Sequence, residues 1–152
     1  MKDFTLAKYN MLLLAFQEKG YVFLTFEEYC TAEHLPDRYV ILRHDVDRCP
    51  QNSVATAQIE NELQARASYY FRVVPESNQP DAIRRIADLG HEIGYHYEDM
   101  ALAHGDIDKA FAHFEKSLHH FQYILSCSHS LYARSTDKPL RREKPVGKIR
   151  LP

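Results

Sequence analysis

Asp45 and Asp47 stand one residue apart at the end of an apolar run, directly after Arg43 and His44, in the segment Ile41-Leu42-Arg43-His44-Asp45-Val46-Asp47. Side chains of an extended chain alternate faces, so the two carboxylates project to the same side, about two residues' rise apart. Held that close they repel each other, and a cation offsets the repulsion most simply; they are also near enough to divide acid and base work. A second cluster follows in His91-Glu92-Ile93-Gly94-Tyr95-His96, with Glu98 on the same face as His96 if the backbone stays extended. Aspartate and histidine together make a normal zinc ligand set, which sets His96 beside the pair Asp45 and Asp47 and adds Glu98 as a further candidate. The plain alternatives are that one aspartate caps the following helix while the other is solvated, and that Glu98 and Asp99 only open a loop. A phosphate-binding loop is excluded for want of glycine and lysine.

Other reactive side chains carry less. His91 begins its strand, so it is expected at the end away from the site, in a structural hydrogen bond. His113, His119 and His120 lie on a helical segment and are expected to face solvent or a partner. Cys49 precedes Pro50 and has no evident histidine base, so it is not assigned as a nucleophile.

The elements that must position these groups follow from periodicity. Leu6, Tyr9, Leu13 and Phe16 recur at helical spacing before Gly20; Tyr21 to Leu24 is a short strand, and Thr25 ahead of Glu27-Glu28 opens a brief helix. A strand is expected over Tyr39 to His44, a helix from the Cys49-Pro50 turn to about Gln64, and a buried strand over Ala67 to Val74. Pro80 starts another helix ending at Gly90, His91 to His96 forms the next strand, and Ile107 to Leu125 is a long helix. The apolar stripe of that helix, which includes Phe111, Phe114 and Phe121, is expected to be core. Strands alternating with helices describe βαβ units around a parallel sheet, whose sites lie at the carboxyl ends of the strands. His44, Asp45, Asp47 and His96 all fall at that edge.

Composition sets the frame. The chain has 152 residues, enough to bury a core without disulfides, and is 45% apolar and 26% charged, as an ordinary globular protein is. A net charge of −2 favours neither nucleic acid nor an anionic membrane as partner. Cys30, Cys49 and Cys127 are odd in number and scattered, which points to a reducing, cytoplasmic setting; no apolar run is long enough to span a bilayer, and no signal peptide is apparent. Residues 1–125 are read as one α/β domain, and 126–152, with seven Lys or Arg against two Asp or Glu, as a basic and mostly irregular tail.

The pair of motifs, Arg43-His44-Asp45-Val46-Asp47 and Gly90-His91-Glu92-Ile93-Gly94-Tyr95-His96, resembles the polysaccharide deacetylase (NodB-homology) family over about Val40 to Asp99. The first looks like the family's D-x-D variant of paired aspartates, and the second like its "GHEIG" strand followed by histidine. The resemblance implies a distorted (β/α) barrel and hydrolysis of an N- or O-acetyl group from a carbohydrate or related amide. It implies Asp45 as general base, Asp47 and His96 as ligands of a divalent metal, zinc foremost, and water activated on that metal. Met100 stands where the family has its second metal-binding histidine, so the ligands are completed by Glu98, by His104 after a loop rearrangement, or not at all. The family's later motifs have no counterpart after Leu125, and the expectation is a shortened member with an incomplete barrel. Two other readings stand beside it. One is a haloacid-dehalogenase-like phosphatase with Asp45 as nucleophile, Asp47 as acid and magnesium as cofactor. The other is a non-catalytic remnant that binds a sugar or partner, or self-associates, through an open sheet edge.

Overall fold

The computed structural model describes residues 5–126. Helix α1 (Leu6–Glu18) starts where the Thr5 hydroxyl accepts from the Lys8 N–H at 3.3 Å. Strand β1 (Val22–Leu24) leads into α2 (Phe26–Thr31), whose start is the capping box that Thr25 and Glu28 form reciprocally. The Thr25 hydroxyl accepts from Glu28 N–H at 3.2 Å and the Glu28 carboxylate from Thr25 N–H at 2.9 Å. Thr25→Ala is expected to cost about 1 kcal/mol, read as a lower urea midpoint at unchanged slope.

Strand β2 (Tyr39–Ile41) pairs in parallel with β1, Val22 against Tyr39 and Leu24 against Ile41. Strand β3 (Arg43–Val46) follows after one residue and opens a second parallel sheet, which continues through α3 (Pro50–Glu62), β4 (Ser68–Phe71), α4 (Pro80–Asp88) and β5 (Glu92–Tyr95). The short α5 (Asp99–Leu102) and long α6 (Ile107–Ser126) complete the described chain. The expected α/β arrangement of parallel strands with flanking helices is therefore present as a small, incomplete sheet in the order β3-β4-β5, with β1-β2 beside it.

One strand expected over Tyr39 to His44 is in fact two, divided at Leu42. The Leu42 carbonyl accepts from the Ser68 N–H at 2.9 Å, while its side chain packs against both apolar clusters of the protein. A single residue thus hands the chain from one sheet to the next.

In the larger cluster, helices α3, α4 and α6 cover one face of β3-β4-β5 through Val54, Ile83, Ile86 and Phe121, against Val46 and Phe71. The smaller cluster seats α1 through Leu13 on Phe23 and Ala65. The expectation that the whole α6 stripe is core fails at its first half. Phe121 and Leu125 are buried, but Ile107 is 72% and Phe111 60% exposed. The reason is length: α6 packs chiefly on α4, β5 and the four-residue α5, and α5 is too short to cover Ile107 and Phe111. The basic tail expected over 126–152 lies outside the described residues beyond Ser126.

Candidate functional site

Strand alternation sorts the side chains of the three-stranded sheet. Register aligns Val46 with Phe71 and Phe71 with Tyr95, all on the helix-covered face, so Asp47, Arg72 and His96 form the next row at the carboxyl edge. The ladder continues into that row, because His96 N–H donates to the Phe71 carbonyl at 2.8 Å. Asp47 Oδ1 lies 3.4 Å from His96 Nδ1, so the structure brings together two of the residues singled out from sequence. With Arg48, Arg72, Glu76 and Glu98 they line a groove of about 440 Å³.

Glu98 faces the same groove, but its carboxylate is held by Arg72, whose Nε donates to Oε2 at 2.9 Å and whose terminal nitrogen donates at 2.5 Å. Asp45 lies two rows below, aligned with Tyr70 and Gly94 on the face opposite Val46; its carboxylate accepts from Arg43 Nε at 2.9 Å. The Arg43 guanidinium lies 4.6 Å over the Tyr70 ring, and Gly94 on β5 leaves the room that this ring occupies.

The edge is fastened by Ser77, which in the sequence reads only as part of the turn that starts the helix at Pro80. Ser77 is fully buried in the loop after β4. Its hydroxyl accepts from the Arg72 N–H at 3.1 Å and donates to the Val46 carbonyl, tying the ends of β3 and β4 beneath Asp47. A serine ahead of Pro80 reads as a helix start, but the cap position falls to Gln79 and the Ser77 hydroxyl serves the strands instead.

His44 is a correction to the sequence-based grouping. It belongs to the opposite face from Asp45, stacked on Tyr69 with ring centroids 4.4 Å apart, and its Nε2 donates to Glu60 Oε1 at 2.6 Å. Glu60 is wholly buried, and also accepts from the hydroxyls of Tyr9 and, at 2.6 Å, Tyr69. Burial first, then Glu60 itself, holds both phenols well above their ordinary range. His91 behaves as expected: its Nδ1 accepts from Ala67 N–H at 3.2 Å, and its Nε2 donates to the Ala57 carbonyl at 2.9 Å. With one ring nitrogen accepting, the imidazole is neutral, and burial lowers its pKa in the same sense. Of the helix histidines, His113 and His119 are exposed as expected, His113 also contacting Asp99, whereas His120 is half-buried with its Nε2 2.7 Å from Asn78 Nδ2.

The donor set at the edge suits a divalent ion as far as it goes. Asp47 offers a carboxylate oxygen, and His96 Nδ1 is a buried nitrogen that makes no hydrogen bond, although Asp47 is near. Among the described residues no three His, Cys, Asp or Glu side chains gather closely enough to form a ligand group, and Glu98 is paired with Arg72. No helix among the described residues is long and apolar enough to cross a membrane. No protein-family model matches the chain, and neither a curated protein nor a solved structure matches it.

Proposed function

We propose that the chain is a metal-dependent, deacetylase-like hydrolase domain acting on an N- or O-acetyl group of a carbohydrate, built as an incomplete barrel of the polysaccharide deacetylase type. The observation that carries this reading is the meeting of Asp47 and His96, from two different strands, at the carboxyl edge of a parallel sheet. Asp47 and His96 would hold the divalent metal, with zinc the best match to an oxygen and an imidazole donor. When bound, such an ion polarises an acyl carbonyl and lowers the pKa of water.

The chain's own groups do the rest. Asp45 takes the proton from the attacking water as general base, and Arg43 holds its carboxylate in place. Arg48 and Arg72 present cationic side chains to the groove, where they can accept hydrogen bonds from no one and so orient sugar hydroxyls and carbonyls by donating to them. Glu98 is drawn toward Arg72 and joins the ligands only if that pair opens.

Zinc titration by calorimetry, with chelator competition, tests the assignment. One zinc per chain is expected, with Asp47→Ala and His96→Ala each weakening binding at least about tenfold, since even neighbours of a ligand carry effects of that size. Asp45→Asn should retain zinc yet lose acetate release from N-acetylated chitooligosaccharide. Absence of zinc binding, or binding indifferent to both ligand variants, would refute the proposal.

A further inference from the structure

Asp47 and His96 bring two ligands to the groove at the carboxyl edge, and a third carboxylate is held away from them. The 3.4 Å between Asp47 Oδ1 and His96 Nδ1 is close to the roughly 3.3 Å that separates two ligands on a tetrahedral ion with bonds of about 2.0–2.1 Å. Glu98 lines the same groove, yet its carboxylate is turned to Arg72. Only the side chain has to move for this to change. The Glu98 backbone is fixed at the start of α5, where its carbonyl accepts from the N–H groups of Ala101 and Leu102 at 3.0 and 3.1 Å, while its carboxylate makes no capping bond there.

Two features make the Arg72–Glu98 pair easy to open. Both side chains are partly exposed, Arg72 30% and Glu98 42%, and ion pairs in contact with water are worth little. Their geometry is also incomplete. Arg72 Nε and its terminal nitrogen both donate to Oε2, at 2.9 and 2.5 Å, so the two parallel bonds of a forked guanidinium–oxyanion pair are not made. An anion that meets this edge of the guanidinium with two oxygens makes both. Arg48 lines the same groove and has no ion pair among the described residues, so a second cation is available to that anion.

We propose that Arg72 is the receptor for an oxyanion, and that the arrival of this anion releases Glu98 to complete the metal ligands begun by Asp47 and His96. The proposal rests on the metal reading of this edge and adds its regulation. Anion and metal favour each other, because each is bound better when the Arg72–Glu98 pair is open, and such coupling is reciprocal. A substrate that carries its own sulfate, phosphate or carboxylate completes the site as it binds, whereas a neutral sugar leaves Glu98 on Arg72.

Zinc titration of the full chain by calorimetry, in sodium sulfate and in sodium chloride at matched ionic strength, tests this. Sulfate is expected to tighten zinc binding about twofold to fivefold, the factor that an exposed ion pair can withhold. Arg72→Met keeps the apolar stem and the backbone bond to Ser77. It should tighten zinc binding by a similar factor and make it indifferent to sulfate. Glu98→Gln should cancel both gains, alone and combined with Arg72→Met. N-acetylglucosamine 6-sulfate should act as sulfate does, at lower concentration where the anion arrives on the sugar, and N-acetylglucosamine should not. A gain from Arg72→Met that persists with Glu98→Gln would reflect only the loss of a nearby positive charge and would overturn the proposal. Zinc binding through Asp47 and His96 that neither sulfate nor Arg72→Met alters would overturn it while leaving the metal reading in place. Absence of zinc binding by the parent and by Arg72→Met alike would overturn both.

Discussion

Glu60→Ala is expected to destabilise the protein by about 3–5 kcal/mol, the range for removing one partner from a buried charged network. The Glu60 side chain is wholly buried on α3, and three donors converge on it: the hydroxyls of Tyr9 and Tyr69 and the Nε2 of His44. Alanine leaves those donors in place with nothing to accept from them, and opens a cavity at the point where α1, α3 and the sheet meet. The loss should appear as a fall of roughly 10 °C in the melting temperature for a chain of this size. Urea unfolding should show a lower midpoint at unchanged slope. Glu60→Gln keeps the shape and one acceptor, so it should cost less than alanine. A midpoint for Glu60→Ala within error of the parent would show that the network contributes nothing net.

The second large effect belongs to Gly94→Ala. A Cβ built on Gly94 would lie 2.4 Å from Tyr70 Cε1 and 2.5 Å from Cδ1, far inside van der Waals contact. Displacing the Tyr70 ring disturbs the Arg43 guanidinium that lies over it, and with it the Arg43–Asp45 pair. Overpacking of this kind costs about 1–3 kcal/mol. On the proposed hydrolase reading, acetate release would fall as well, since a displaced ring moves the Arg43–Asp45 pair. The cause can be isolated by a double-mutant cycle: Tyr70→Ala should relieve most of the cost of Gly94→Ala, with a coupling of about 1 kcal/mol or more. Additive effects of the two substitutions would exclude the steric explanation.

These two positions differ in how they could be read from the chain. Gly94 stands in a run of strand-like residues, and a glycine there signals that something approaches closely; the sequence shows the room but not that Tyr70 fills it. Glu60 reads as one polar residue of an amphipathic helix. Only the seating of α1 against α3 and the inward turn of His44 make it the acceptor of a buried network. Ser77 is similar, because its two strand partners lie 5 and 31 residues away along the chain.

The stripe on α6 shows the opposite failure, in which a correct periodicity led to an incorrect burial. Ile107, Phe111 and Phe114 recur at helical spacing with Phe121 and Leu125, but periodicity reports only that a stripe exists, not how far the opposing surface extends. Phe121 and Leu125 reach the core shared with the sheet and α4, whereas α5 is too brief to cover Ile107 and Phe111.

The sequence by itself determined the alternation of strands and helices, the cap at Thr25, and the placement of Asp45, Asp47 and His96 at the carboxyl edge. Those follow from local physics: side-chain periods of about 2 and 3.6 residues, and hydrogen bonds between near neighbours. Tertiary structure alone decided the division of the strand at Leu42, the departure of His44 to the buried face, the engagement of Glu98 by Arg72 and the exposure of the aromatic half of α6. Each depends on which surfaces distant segments bring together, and a carboxylate or an aromatic ring carries no local mark of whether its partner will be water, an arginine or an open groove.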